Sequence, residues 1–114
     1  MSDRYDLTID TGTDSVYIFS LVDNKGETII TDGYAARMQV RPYICSDLVY
    51  DELTTSNGRL SFVDTGKLQV LLTNEATDKY TFDKALYDIE VIDPNGKVTR
   101  IVEGRVIARH GVTR

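Results

Sequence analysis

Turn signals built around glycine recur at short intervals along the whole chain. Glycine adopts the positive φ that tight hairpin turns require, and each glycine here stands beside small polar residues. The signals are Thr11-Gly12, Asp23-Asn24-Lys25-Gly26, Asp32-Gly33, Ser56-Asn57-Gly58, Asp64-Thr65-Gly66 and Asp93-Pro94-Asn95-Gly96. Short segments between frequent turns are typical of an all-β sandwich or barrel. With 114 residues, the chain is expected to form one such domain over residues 1–114.

Between the turns, apolar and polar residues alternate with the two-residue period of a strand that has one buried face. In the segment 34–41, for example, Ala36, Met38 and Val40 share one face. Segments with strand character are 5–10, 15–22, 27–30, 34–41, 47–53, 59–63, 67–73, 85–92, 97–102 and 104–109. Of these, 47–53 is ambiguous because it is both acidic and apolar, and 104–109 either completes the hairpin of 85–92 and 97–102 or forms a further bend. Residues 74–80 are the one helical candidate, with Thr73 as the N-cap. The pattern predicts a two-sheet antiparallel β-sandwich of about eight short strands with one short helical turn.

Gly104 interrupts the last pair of predicted strands. Glycine weakens a strand, because it offers no side chain for packing and loses more conformational freedom on folding. Its presence there predicts a β-bulge or a close approach of another backbone segment.

The segment 15–22 is apolar on both faces. Tyr17, Phe19 and Leu21 would fill the core, which leaves Val16 and Ile18, together with Val22, on the opposite face. Two interpretations are open: the rest of the sandwich or the short helix covers this second face, or the face is a contact with another subunit. The outward position of Leu71 in the segment 67–73 raises the same alternatives.

Arg37 and Arg41 share the polar face of the segment 34–41. They form either a solvated face with scattered ion pairs, each contributing about 0–1 kcal/mol, or a protein-binding surface. Arginine is enriched in interfaces because its guanidinium group makes planar bidentate contacts. Val16, Ile18, Leu71, Arg37 and Arg41 are therefore the candidate interface residues.

Charge and composition disfavour several classes of function. The formal net charge of −5 argues against binding to nucleic acid or to an anionic membrane surface. The apolar segments are too short for a transmembrane helix, and the first residues, Met-Ser-Asp-Arg, do not resemble a signal peptide.

Catalytic and metal-binding patterns are weak. The single cysteine, Cys45, is expected to be buried or half-buried, and the single histidine, His110, lies close to the C-terminus. The segment 23–26 places Lys25 where a calcium loop needs an oxygen ligand, and 93–96 is explained as a turn. No catalytic residue, cofactor, metal or small-molecule substrate is expected, and the chain is not expected to be an enzyme.

Three segments, in order, resemble a set of small virion proteins of tailed bacteriophages. They are YDLTIDTGTD from Tyr5 to Asp14, GYAARMQVRP from Gly33 to Pro42, and YDIEVIDPNGKVTRIVEGRV from Tyr87 to Val106 with the terminal GVTR. The last of these resembles a Y-D-[IL]-E strand followed by a glycine turn and a returning strand. The segment 81–84 departs from the pattern, because Thr-Phe-Asp-Lys replaces a small glycine-containing turn.

This resemblance implies an immunoglobulin-like β-sandwich in the tail, baseplate or fibre-attachment region of a virion. Its partners would be other phage structural proteins and copies of the chain itself, and its location would be the virion after synthesis in the host cytoplasm. The family brings no catalytic residue. Alternatives are a head-decoration (cement) protein, or a carbohydrate- or receptor-binding module that uses loop tyrosines such as Tyr43 and Tyr50.

Overall fold

The computed structural model describes residues 3–23 and 25–112. Those parts of the predictions that concern Met1, Ser2, Asn24, Thr113 and Arg114 lie outside the described residues. Within the described ranges the chain forms nine strands and one short helix. They are β1 (Asp3–Arg4), β2 (Leu7–Asp10), β3 (Ser15–Ser20), β4 (Ala35–Arg41), β5 (Asp51–Thr54), β6 (Leu60–Asp64), β7 (Lys67–Leu72), α1 (Asn74–Thr77), β8 (Lys84–Ile92) and β9 (Val98–Arg109).

Two sheets enclose one hydrophobic core, which confirms the predicted all-β sandwich. The larger sheet has the order β1-β9-β8-β4-β5, with β2 also paired to β9, and the smaller sheet has the order β3-β7-β6. Met38 and Ile89 from the larger sheet and Leu68 and Leu72 from the smaller one are fully buried in this core. The alternation of apolar residues in the sequence therefore identifies the core-facing side of these strands.

The pairing of the first strands corrects the prediction of a purely antiparallel fold. β1 and β2 run parallel to β9, with Asp3 opposite Val102 and Leu7 opposite Val106. The other strand pairs in the described ranges are antiparallel. Parallel neighbours need a long connection between them, and the first and last strands have one because the rest of the domain lies between them.

Gly104 lies on β9 where the N-terminal segment passes across it. A β-carbon added to Gly104 would lie 2.1 Å from the Tyr5 carbonyl oxygen. The Tyr5 N–H donates to the Glu103 carbonyl oxygen at 2.9 Å, and the Arg105 N–H donates to the Asp6 carboxylate at 2.9 Å. The predicted close backbone approach is therefore confirmed at this glycine.

Four predicted strands differ clearly in extent from those in the structure. The segment 27–30 forms a single bridge, between Val22 and Thr28, because it lies in the long connection that crosses from β3 to β4. The segments 97–102 and 104–109 are one continuous strand, β9, whose pairing with β8 shifts register at Ile101. The strand predicted over 47–53 is displaced, since β5 begins at Asp51.

The short helix α1 begins where the sequence predicts it but ends at Thr77, before the predicted limit of residue 80, and it is anchored by two threonines. The Thr73 hydroxyl accepts a hydrogen bond from the Ala76 N–H at 3.2 Å, as an N-cap does. The buried Thr77 hydroxyl accepts from the Gly12 N–H and donates to the Thr13 carbonyl, each at 3.0 Å. These bonds hold α1 against the turn between β2 and β3.

Candidate interaction surface

Three of the five candidate interface residues meet on the outer face of the three-stranded sheet. Val16 on β3 stands directly opposite Leu71 on β7, and Ile18 is the next outward residue along β3. Val16 is 54% exposed and Ile18 is 56% exposed, while Leu71 is partly buried. We call Val16, Ile18 and Leu71 the apolar patch.

The described part of the chain leaves this patch open to solvent. Tyr17 and Phe19, the alternate residues of β3, pack against the core as expected. The opposite sheet covers only that inner face, and α1 is held at the β2–β3 turn. Neither the rest of the sandwich nor the helix covers the second face. The first of the two interpretations is therefore wrong.

Arg37 and Arg41 lie on the outer face of the six-stranded sheet, away from the apolar patch. The Arg37 Nε donates to the Glu90 Oε1 at 2.8 Å. The Arg41 guanidinium donates to the Gln39 Oε1 at 2.7 Å and also to the Ser46 carbonyl. The five candidates thus divide between two separate surfaces, one apolar and one charged, and their role in an interface stays a prediction.

The charged face continues across β8 and β9. The Arg100 guanidinium lies 3.3 Å from the Asp88 carboxylate and 3.7 Å from the Glu103 carboxylate. Burial raises the pKa of Asp88, and the charge of Arg100 offsets this only in part. Because cations and anions alternate across the strands, this face carries largely paired charge, and exposed pairs of this kind contribute little net free energy.

In the loop that follows β4, sequence reasoning named Tyr43 as a possible binding tyrosine but missed the exposed Ile44 beside it. Ile44 is 84% exposed and Tyr43 is 61% exposed. Cys45 is exposed as well, so the expectation of a buried or half-buried thiol is wrong. Pro42 ends β4, and beyond it the alternation no longer places apolar residues in the core. An apolar triplet directly after a strand-ending proline was the signal available in the sequence.

The two tyrosines considered for carbohydrate binding have different surroundings. Tyr50 stacks on Phe82 with ring centroids 4.5 Å apart and an interplanar angle of 15°. One face of its ring is therefore already covered within the chain. Tyr43 lines an open groove of about 280 Å³ together with Ile44 and Leu86, on the charged face of the larger sheet.

Asp51, Arg59 and Tyr80 form a charged cluster where β5 leads into β6. Arg59 donates two hydrogen bonds to the Asp51 carboxylate, at 2.6 Å and 2.7 Å, and the Tyr80 hydroxyl donates a third at 2.6 Å. Burial disfavours the ionised carboxylate, but the bonds from Arg59 and Tyr80 outweigh it and lower the pKa of Asp51. Because both of its oxygens accept hydrogen bonds from these donors, we interpret the carboxylate as a group that stabilises the fold.

Stability is expected to fall at alkaline pH because two tyrosines are buried in their neutral form. Burial, aided by the Asp51 carboxylate, raises the pKa of Tyr80, and burial also raises the pKa of Tyr87. In the unfolded chain both would ionise near pH 10. Their contribution is complete below that pH and is lost as the pH rises above it. Urea unfolding between pH 8 and pH 11 should show this decline, and Tyr80→Phe should make it shallower.

The matched control for this measurement is Tyr43→Phe, which changes an exposed tyrosine. It should leave the dependence of the free energy of unfolding on pH as in the parent chain. An equal decline in the parent and in Tyr80→Phe would contradict the assignment to Tyr80.

No protein-family model matches the chain, and no curated protein is significantly similar to it. Among residues 3–23 and 25–112, no three His, Cys, Asp or Glu side chains converge in a way that could hold a metal ion. Within the same ranges no helix has the length and apolarity to cross a membrane.

Proposed function

We propose that this chain is a structural subunit of a tailed-bacteriophage virion, in the tail, baseplate or fibre-attachment region, and that it works through contacts with other structural proteins and with copies of itself. The observation that carries this proposal is the apolar patch. Val16 and Ile18 are large aliphatic residues on a regular strand, and more than half of each is exposed. Contiguous apolar residues on a soluble domain favour burial against a partner.

The architecture supports an assembly role. Two sheets packed around one core form a rigid body, and a repeated structural subunit needs such a body to reproduce the same contact in each copy. The three segments that resemble small phage virion proteins lie mainly on β2, β4, β8 and β9, which belong to the larger sheet. The apolar patch lies on the other sheet, so it is a feature that the resemblance does not supply.

Incorporation into particles tests this proposal. In a phage that carries the gene, gradient-purified virions should contain the protein at a fixed copy number, measured by quantitative mass spectrometry. Leu71→Lys should reduce incorporation about tenfold or more, since a charge then replaces an apolar contact at the patch. The unfolding curve of the purified variant establishes that it folds.

Val63→Lys is the matched control, because Val63 is 48% exposed on β6 of the same small sheet but lies outside the patch. It should be incorporated at the parental level. Virions that contain no copies of the protein, or that incorporate folded Leu71→Lys as well as the parent, would contradict the proposal. Hundreds of copies per virion would favour the head-decoration alternative, whereas multiples of three or six would favour the tail.

A further inference from the structure

β3 has one strand edge that is paired and one that is open. It lies at the end of the order β3-β7-β6, and among the described strands it pairs with β7 alone. Leu21 N–H donates to the Gly66 carbonyl at 2.7 Å, and Leu71 N–H donates to the Arg59 carbonyl at 2.9 Å. Main-chain groups alternate in direction along a strand, so these two bonds fix the pattern. The N–H and C=O groups of Val16, Ile18 and Ser20 therefore point away from β7, toward the open edge.

The other edge strands in the described ranges are protected against pairing. β6 is bulged between Phe62 and Asp64. β5 has four residues, and the Asn57 and Arg59 side chains donate to its Glu52 carbonyl. The edge formed by β1 and β2 is interrupted between them. Bulges, short length, interruptions and covering side chains are the devices by which proteins prevent the pairing of sheet edges.

β3 has none of these devices. Its six residues, Ser15–Ser20, include no charged residue and no proline, and its register with β7 is continuous. Its sequence, SVYIFS, is rich in β-branched and aromatic residues, which favour strand pairing. An open, regular and uncharged edge is a template for one kind of occupant, another β-strand.

We propose that β3 pairs with β3 of a second copy of this chain, antiparallel and about a two-fold axis at Ile18, so that the two three-stranded sheets become one continuous six-stranded sheet. In this register Ile18 faces its own counterpart and Val16 faces Ser20 of the other copy. All three residues with outward main-chain groups then exchange hydrogen bonds across the axis. The pairing closes on itself, because each copy has used its open β3 edge.

Self-complementarity selects a second copy as the occupant over an unrelated strand. On the inner face the same register sets Tyr17 opposite Phe19 of the other copy, and aromatic cross-strand pairs stabilise sheets. Both rings are only partly buried in the single chain. The pairing places no like charges opposite each other within β3, because Ser15–Ser20 contains no charged residue.

This inference rests on the proposed function in one respect: it names the first contact of the assembling subunit as a second copy. The pairing would also join two apolar patches into one larger surface, with Leu71 of each copy one strand away from the seam. Another virion protein would then bind the joined patches. A partner that binds β3 itself is excluded while the two copies are paired.

Sedimentation equilibrium of the purified full chain tests the pairing. The parent chain should shift with concentration from 12.8 kDa to twice that mass. Ile18→Lys should weaken the association and raise the dissociation constant about a hundredfold. Two apolar side chains are lost at the axis, and two ammonium groups face each other there. Val63→Lys, at the other edge strand of the same sheet, should associate as the parent does. A parent chain that stays at 12.8 kDa up to millimolar concentration would overturn the proposal.

Disulfide trapping keeps the test valid if Ile18→Lys does not fold. In a Cys45→Ser background, which removes the exposed thiol, Ile18→Cys should give a covalent dimer under mild oxidation, and Val63→Cys should not. Directly opposed residues in a hydrogen-bonded pair have Cα atoms about 5.5 Å apart, within reach of a disulfide. Equal trapping at both positions would contradict the register. A parent that sediments as a monomer but is incorporated into virions refutes the pairing alone, whereas a dimer absent from virions refutes the proposed function alone.

Discussion

Replacing Gly104 by alanine is expected to lower the free energy of unfolding by about 3 kcal/mol or more. The added β-carbon would lie 2.1 Å from the Tyr5 carbonyl oxygen and 2.8 Å from its carbonyl carbon. Relief requires β1 to move away from β9, which would break the 2.9 Å hydrogen bond from the Tyr5 N–H to Glu103. It would also break the bond from the Tyr87 hydroxyl to the Tyr5 carbonyl. Urea or thermal unfolding of the purified variant measures the loss.

Gly58→Ala is the control for this substitution, because at Gly58 an added β-carbon meets a backbone cost but no clash, whereas at Gly104 it meets a clash. Gly58 has a φ of +78° and open space around it, so alanine there carries a backbone cost of about 1–2 kcal/mol and no clash. Gly104 is not among the glycines with positive φ, so its cost comes from the contact with Tyr5. If Gly104→Ala is no more destabilising than Gly58→Ala, the N-terminal segment moves away from β9 without loss of stability. The explanation by a clash with Tyr5 would then be wrong.

Removing the charge of Asp51 is expected to cost about 2–3 kcal/mol of stability. Asp51→Asn leaves the Arg59 guanidinium, whose side chain is 21% exposed, without its anion. The substitution also removes the charged acceptor of the Tyr80 hydroxyl, which donates to the Asp51 carboxylate at 2.6 Å. Chemical unfolding at pH 7 measures the loss. Since the pKa of Asp51 is lowered in the folded chain, the same contribution should disappear in the parent as the pH falls below 3.8, the ordinary aspartate value.

A double-mutant cycle measures the interaction free energy between Asp51 and Arg59. Arg59 Nε is buried without a hydrogen-bond partner in the described part of the chain, so keeping the guanidinium there carries a cost of its own. Asp51→Leu combined with Arg59→Met should therefore lose less stability than the sum of the two single variants. Strictly additive losses would show that the two side chains do not stabilise each other.

Much of the fold follows from local rules that act within a few residues. The alternation in 34–41 predicts that Ala36, Met38 and Val40 are buried, and they are. Thr73 caps α1 as its residue type and position predict, and Gly104 marks a close backbone approach. These features are local, because a strand repeats every two residues and a cap or a glycine acts on its immediate neighbours.

Other features depend on which segments become neighbours in space. The return segment 27–30 has hairpin residues but forms one bridge, and β1 and β2 pair in parallel with β9. The exposure of Cys45 follows from a loop whose packing the sequence does not specify. The arginines and the apolar patch, chosen together from residue type, lie on different sheets.

The sequence by itself determined that this chain is a small β-sandwich, and it identified β3 as apolar on both faces. Only the tertiary structure decided what that second apolar face means. A strand of this composition is typical of the middle of a buried sheet, where both faces are covered. Here β3 lies at an edge, with β7 on one side and no described strand on the other. Strand order depends on contacts between distant segments, and for this reason alternation along the chain could not predict the open edge.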